Sequence, residues 1–220
     1  PQWDALPALA ITNRCVKGGA KNFQPGDHEA SYKIAWDAHN LYLRVEVADD
    51  KLLADPEIWK KPNAEKQLWN ADGALEVYFD TGANGRSNAA KTFDNDDYRY
   101  DFAPPQDGKD GAGLVWRFRE VYHQLADGVN MATKEEASKK IACRYARTAT
   151  GYTMTVTFAQ RYLEPIVLKP GFVAGCGLYL HDHDAPNWQA SKGLGTSTEP
   201  GRPCDGHPEL WPLLVLKLER

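Results

Sequence analysis

Trp69-Asn-Ala-Asp-Gly-Ala-Leu-Glu-Val-Tyr-Phe-Asp80 is the stretch on which the reading of this chain turns. Its second half alternates. Leu75, Val77 and Phe79 fall on one side of an extended strand, and Glu76, Tyr78 and Asp80 on the other. The first set suits a buried face. The second sets two carboxylates and a phenol in line behind a loop that carries Trp69. Flat rings accept the apolar face of a pyranose and carboxylates accept its hydroxyls, so the pattern predicts a carbohydrate-binding surface on a rigid support. The competing expectation is a solvated strand face.

The flanking sequence is also made of strands. Tyr32, Ile34 and Trp36 alternate with Lys33 and Ala35. After a turn at Asp37-Ala-His-Asn40, Leu41, Leu43, Val45 and Val47 alternate with Tyr42, Arg44 and Glu46. Further strands are predicted over 98–102, 114–122, 141–147, 152–158, 172–181 and 213–218, with an edge strand from the apolar patch Leu6–Ile11. Thr133-Lys-Glu-Glu136 has capping-box spacing and predicts a short helix over 134–140. Residues 159–163 have room for one helical turn before Pro165. Residues 51–68 and 184–209 read as long loops. About nine short strands and no internal repeat predict an all-β fold, an antiparallel jelly-roll or immunoglobulin-like sandwich forming a single domain over 1–220.

Composition agrees. The 220 residues include 7 Trp, 10 Tyr and 7 Phe, which favour strands, and 18 Gly with 14 Pro, which favour turns. Basic residues are scattered and the formal net charge is −4, which argues against a nucleic-acid footprint. No apolar run approaches the roughly 20 residues of a membrane span. Cys15, Cys143, Cys176 and Cys204 form no CxxC pair, so a zinc ribbon or redox dithiol is not indicated, and disulfides and buried thiols both remain open.

Candidate sites follow from residue type and position. Trp69 and Trp188 sit in polar loops and are candidate stacking residues, whereas Trp36 and Trp116, on apolar strand faces, are assigned to the core. Asp94, Asp96 and Asp97, and separately Asp49 and Asp50, are hard oxygen donors on turns that suit calcium. His181 and His183 share a strand face and raise zinc, but His207 has no fixed place beside them. Glu76 and Asp80 share a face about 13 Å apart, too far for the ~5–9.5 Å of a glycosidase pair. No nucleophile, metalloprotease or nucleotide motif occurs in a usable context, so catalysis is not expected from this chain.

In order and punctuation these pieces resemble the family-nine carbohydrate-binding modules. Ala35-Trp36-Asp37, Leu41-Tyr42-Leu43 and Val47 to Asp49 match the family's early pattern. Trp69 with Glu76-Val-Tyr-Phe-Asp80 resembles its tryptophan loop and Glu-x-x-x-Asp strand, and Asp94-Asn-Asp-Asp97 its acidic knot. Gly151-Tyr152, Pro170-Gly171, His181-Asp-His-Asp184 and the closing strand from Trp211 to Leu218 fall at its later landmarks. The resemblance implies a sugar-binding sandwich with structural calcium. It also implies export to the cell surface, periplasm or medium, and attachment to a polysaccharide-degrading enzyme. It implies Trp69 as a stacking residue and Glu76 as acceptor of sugar hydroxyls, with Tyr78 on the same face. The family's second stacking tryptophan has no counterpart near Arg202-Pro-Cys-Asp-Gly206, so Trp188 is the substitute. Its binding arginine is replaced by Asp101, with Arg99 as stand-in. The related sandwiches also include haem-binding electron-transfer domains with methionine ligands, here Met131 or Met154, and a structural or partner-binding module is a third expectation.

Overall fold

The computed structural model describes residues 1–17, 28–52, 60, 68–87, 93–94, 96–119, 139–163, 165–184 and 191–217. Thirteen strands lie among them. In chain order they are β1 (Leu9–Ile11), β2 (Asn13–Lys17), β3 (Glu29–Trp36), β4 (Asn40–Ala48), β5 (Leu75–Asp80), β6 (Asp97–Ala103) and β7 (Gly111–Ala112). Then follow β8 (Leu114–Arg119), β9 (Ala142–Thr148), β10 (Gly151–Ala159), β11 (Val173–His183), β12 (Ser191–Gly195) and β13 (Leu213–Val215). A single helical turn, α1 (Gln160–Leu163), follows β10. The helix expected over 134–140 falls mostly outside the described residues.

One sheet has the order β1-β3-β4-β10-β9-β7, the other β2-β12-β11-β5-β6-β8, with β13 beside the start of β11. All ladders are antiparallel, so the fold is the expected all-β sandwich. The β3–β4 hairpin pairs Trp36 with Leu41, and Asp37 Oδ1 closes its turn by accepting the amides of His39 and Asn40, each at 2.8 Å. The core between the sheets takes alternate residues from both. Leu41, Leu43, Val45 and Val47 meet Tyr152, Met154, Val156 and Phe158 on one side. Leu75, Val77, Phe79, Tyr98, Tyr100 and Phe102 meet Leu178 and Leu180 on the other. The hydroxyls of Tyr98 and Tyr100 donate to the carbonyls of Leu163 and Tyr162, so α1 satisfies two phenols that the core buries.

Three local features differ from expectation. Residues 13–17, read as irregular, form β2, and the chain passes from one sheet to the other between Ile11 and Asn13. Residues 191–195, read as loop, form β12. Its Ser-Lys-Gly-Leu-Gly sequence has one apolar side chain because Tyr179 lies on both glycines: a Cβ at Gly193 would sit 2.2 Å from the Tyr179 hydroxyl. Trp116, assigned to the core, lies on the opposite face of its sheet, packed with Leu68, Ala71, Ala74 and Ala103. Cys143, Cys176 and Cys204 are free buried thiols.

The outer face of the second sheet is covered too. Tyr78, Tyr179, Cys204 and Trp211 form a second apolar cluster there, with the Tyr78 and Trp211 rings stacked at 5.2 Å. Trp211 reaches that position by lying over Gly177, where a Cβ would meet its Cδ1 at 2.6 Å, and its indole donates to the Cys204 carbonyl at 2.8 Å. Gly177→Val is therefore expected to lower stability by about 1–3 kcal/mol through overpacking, read as an earlier urea midpoint with an unchanged slope.

Candidate functional site

Every residue of β5 is buried, on both faces. The outward set predicted to face a ligand is buried among polar side chains, where each charge has a partner. The register sets Glu76 opposite Asp101 on β6 and Tyr179 on β11, and Tyr78 opposite Arg99. The Arg99 guanidinium fills the space among these side chains. Its Nη1 is 3.3 Å from Glu76 Oε1, its Nη2 donates to Asp101 Oδ2 at 2.9 Å, and its Nε is 2.6 Å from Asp101 Oδ1. The same guanidinium lies over the Trp69 ring, 4.9 Å from the centroid. His181 Nε2 is 3.2 Å from Glu76 Oε1, and the Tyr78 hydroxyl donates to Glu76 Oε2.

The electrostatics follow from this geometry. Burial alone raises the Glu76 pKa, but His181, Arg99 and the Tyr78 hydroxyl together outweigh it and lower the value to about 2. Asp101 goes the other way. Burial dominates and the Glu76 charge adds to it, so that despite Arg99 its pKa rises to about 7. Burial, assisted by the neighbouring His181, lowers His183 to about 4, against the pull of the Trp69 carbonyl 3.5 Å away. Arg99 stays cationic, held by Glu76 and Asp101 against its own burial.

Four of the six predicted ligand residues converge in one place: Trp69, Glu76, Arg99 and Asp101. Tyr78 reaches the same place but not the surface. It is fully buried under Trp211, so it positions Glu76 and does not face a ligand. Asp101 is fully buried as well, and its partner is Arg99. Trp188 lies outside the described residues. Trp69 is partly exposed, on the short 3-10 turn Leu68–Asn70. His181 was missed as a site residue. Its spacing drew attention only as zinc, whereas period-2 alternation along β11 puts it on the Glu76 side. His207 lies by Glu209 at 3.4 Å instead.

Two acidic groups stand apart. Asp49 joins Asp72 and Asp182, all buried, each offering one oxygen within 4.8 Å of the others. Asp49 Oδ1 accepts the Lys51 amide at 2.8 Å, Asp72 Oδ1 accepts the His183 amide at 2.9 Å, and Lys192 Nζ is 3.6 Å from Asp182 Oδ2. The fully buried Tyr152 hydroxyl, which has no hydrogen-bond partner, is close enough for Asp49 and Asp72 to raise its pKa further, beyond the effect of burial. Asp50 is exposed beside this group and takes no part in it. Asp94, Asp96 and Asp97 instead knot the 81–87 turn to β6. Asp96 Oδ2 accepts the Gly82 amide at 2.6 Å, Asp97 Oδ2 accepts the Asp94 amide at 2.8 Å, and Asp80 Oδ2 accepts the Gly85 amide at 2.7 Å. Asp97, buried opposite Asp80, is raised to about 8 by desolvation and by the nearby carboxylates.

An ionic and aromatic cluster on one face of a two-sheet fold defines a ligand-binding β-sandwich. Residues 2–202 match the family described as carbohydrate family 9 binding domain-like, and the chain belongs to that family, whose members are non-catalytic binding modules. A family 9 module from Caldicellulosiruptor kristjanssonii in complex with glucose aligns over 99% of this chain and 87% of its own. The identity is 14% and the TM-score 0.61. A family 9 module of that organism in complex with cellotriose aligns over 99% and 86%, again at 14% identity and a TM-score of 0.61. At that identity the likeness shows a shared fold. No curated protein matches the chain. Among the described residues no helix is long and apolar enough to cross a membrane. Met154 is fully buried between the sheets, and Met131 lies outside the described residues, so no described methionine is placed for haem ligation.

Arg99→Ala is expected to cost about 3–5 kcal/mol at pH 7, because the buried Glu76 carboxylate loses a counter-charge and Asp101 loses the group it bonds. Glu76, with its folded pKa near 2, contributes stability in the wild type that is complete above the unfolded value of about 4.3. That contribution is lost as pH falls towards 2. Protonation also relieves the variant, so the wild-type advantage narrows on acidification. Urea unfolding at a series of pH values reads both.

Proposed function

We propose that the chain binds oligosaccharide or polysaccharide without altering it, on the face formed by Trp69, Glu76, Arg99 and His181. The observation that carries this reading is the single guanidinium that holds Glu76, Asp101 and the Trp69 indole together. Glu76 offers roughly four acceptor positions, of which Arg99, His181 and Tyr78 take three. Arg99 brings its N–H groups to the same place, held by Glu76 and Asp101. A sugar ring on the exposed part of Trp69 would meet an acceptor and donors already oriented, and vicinal hydroxyls suit such a pair.

Glucose and cellotriose are the probes, since the structural neighbours hold those sugars. Isothermal titration of the chain with both is expected to show binding. Trp69→Ala is expected to abolish it, and Glu76→Gln to weaken it by about 1–3 kcal/mol, the scale of a bond to a charged group. A flat thermogram for folded protein against these and a wider sugar panel would sink the proposal. A Trp69→Ala variant that melts early but binds normally would move the site elsewhere.

We propose as its working context an exported module attached to a polysaccharide-degrading catalytic domain, which it would hold at the substrate and so raise the local concentration of reacting bonds. We further propose that Asp49, Asp72 and Asp182 hold a structural calcium ion. The donor set fits, because all three are hard oxygen donors, one oxygen of each lies within 4.8 Å of the others, and backbone carbonyls or water can complete the ~6–8 oxygens the ion requires. Calcium at about 100 times its Kd is expected to stabilise the chain by about 2.7 kcal/mol over EDTA. Thermal melts with and without calcium test this, and Asp182→Asn is expected to remove the response. Identical melts in calcium and EDTA would refute the ion.

A further inference from the structure

Sequence reasoning places Trp116 in the core, and the register contradicts it. Three ladders share one row across the outer face of the second sheet. Tyr179 pairs with Glu76, Glu76 with Asp101, and Asp101 with Trp116. Directly paired residues in an antiparallel ladder point to the same side, so Trp116 stands on the ligand face and not between the sheets. It is partly exposed. Its buried edge rests on Leu68, Ala71, Ala74 and Ala103, and Leu68 belongs to the 3-10 turn that carries Trp69. Trp116 and the turn that carries Trp69 therefore share one small apolar base, on the side of the site away from Tyr179.

We propose that Trp116 is a second aromatic platform of the site and takes the sugar residue next to the one held by Trp69 and Glu76. This rests on the carbohydrate-binding reading above. Strand spacing of about 4.8 Å puts Trp116 two strands, roughly 10 Å, from Glu76. That is farther than one pyranose bonded to Glu76 extends, so the contact serves the second unit of a chain. Asp101, in the row between them, is fully buried and ion-paired. The floor between the two platforms therefore presents little beyond the guanidinium of Arg99 to hydroxyls above it. Sugars longer than one unit bind across that floor by stacking at both ends. The apolar base below Trp116 explains why the ring is only partly exposed: one edge packs, and the rest faces outward.

The test uses glucose and cellotriose with the wild type, Trp116→Ala and Trp116→Leu. Leucine keeps an apolar side chain on the Leu68–Ala71–Ala103 base and removes the ring. The wild type is expected to bind cellotriose more tightly than glucose. Both variants are expected to lose about tenfold or more in cellotriose affinity while glucose affinity stays within twofold. Trp69→Ala is expected to lose both sugars. The indole N–H resonance of Trp116 in the wild type is expected to shift with cellotriose and not with glucose, a readout that requires no variant to fold. Cellotriose binding unchanged in Trp116→Leu, or an unmoved Trp116 resonance at saturation, overturns the platform while leaving the primary site intact. Wild type that binds neither sugar overturns the carbohydrate reading itself, a different outcome from either.

Discussion

The interaction on which the rest of the site depends is the buried guanidinium of Arg99. Two carboxylates are taken almost wholly out of water on adjacent strands, Glu76 at 3% exposure and Asp101 at 0%. Each would incur a desolvation cost of several kcal/mol if left alone. One planar cation answers both, because its fork spans Asp101 with two nitrogens and leaves the third for Glu76. A lysine at this position could not, having a single compact charge. The division is unequal. Glu76 gains His181 and Tyr78 as further partners, Asp101 none, and the two acids accordingly shift in opposite directions. Glu76, with the additional partners, is the one kept ionised.

How much of this was legible in the sequence follows from the kind of signal each part leaves. Long alternating strands announce themselves: β4 and β10 bury every second residue as their sequences predict. Glu76 and Arg99 were legible because the same period fixes the side of the sheet on which each lies, and Trp69 because it stands in a polar loop. Strands β2 and β12 left no such trace. The latter is held by glycines that admit Tyr179, a requirement set by a strand elsewhere in the chain. Trp116 was misplaced because its strand reads as carrying an apolar face, and only pairing with Asp101 shows which side Trp116 takes. The Asp49–Asp72–Asp182 group was half legible, since Asp49 stood out on a turn. Asp72 and Asp182 lie 23 and 133 residues away along the chain, and topology alone brings them together.

Three acidic clusters show three ways to hold negative charge in a small fold. Around Arg99, a fixed cation does it. In the knot formed by Asp80, Asp94, Asp96 and Asp97, backbone amides of the 81–87 turn and of Asp94 do most of it, and the surplus appears as a raised Asp97 pKa. That arrangement ties a turn to a strand end by ordinary Asx geometry. At Asp49, Asp72 and Asp182 the fold brings three buried carboxylates from distant parts of the chain within 4.8 Å of one another, with the amides of Lys51 and His183 and the Lys192 ammonium among their partners.

The site is built on strands and is rigid for a reason that lies outside it. Glu76 is oriented by the Tyr78 hydroxyl, and Tyr78 cannot turn because Trp211 is stacked on its ring and Phe93 lies at 6.0 Å. Trp211 in turn needs Gly177 beneath it and the Cys204 carbonyl to receive its indole N–H. An apolar cluster contributed by the last part of the chain therefore sets the direction of a carboxylate on β5. Fixing that direction before a ligand arrives removes an ordering cost that binding would otherwise meet. The second apolar cluster is thus not a satellite of the core. It is the support that keeps the outward face of β5 in one conformation, and it explains why a strand whose outer face carries Glu76 is itself buried on both sides.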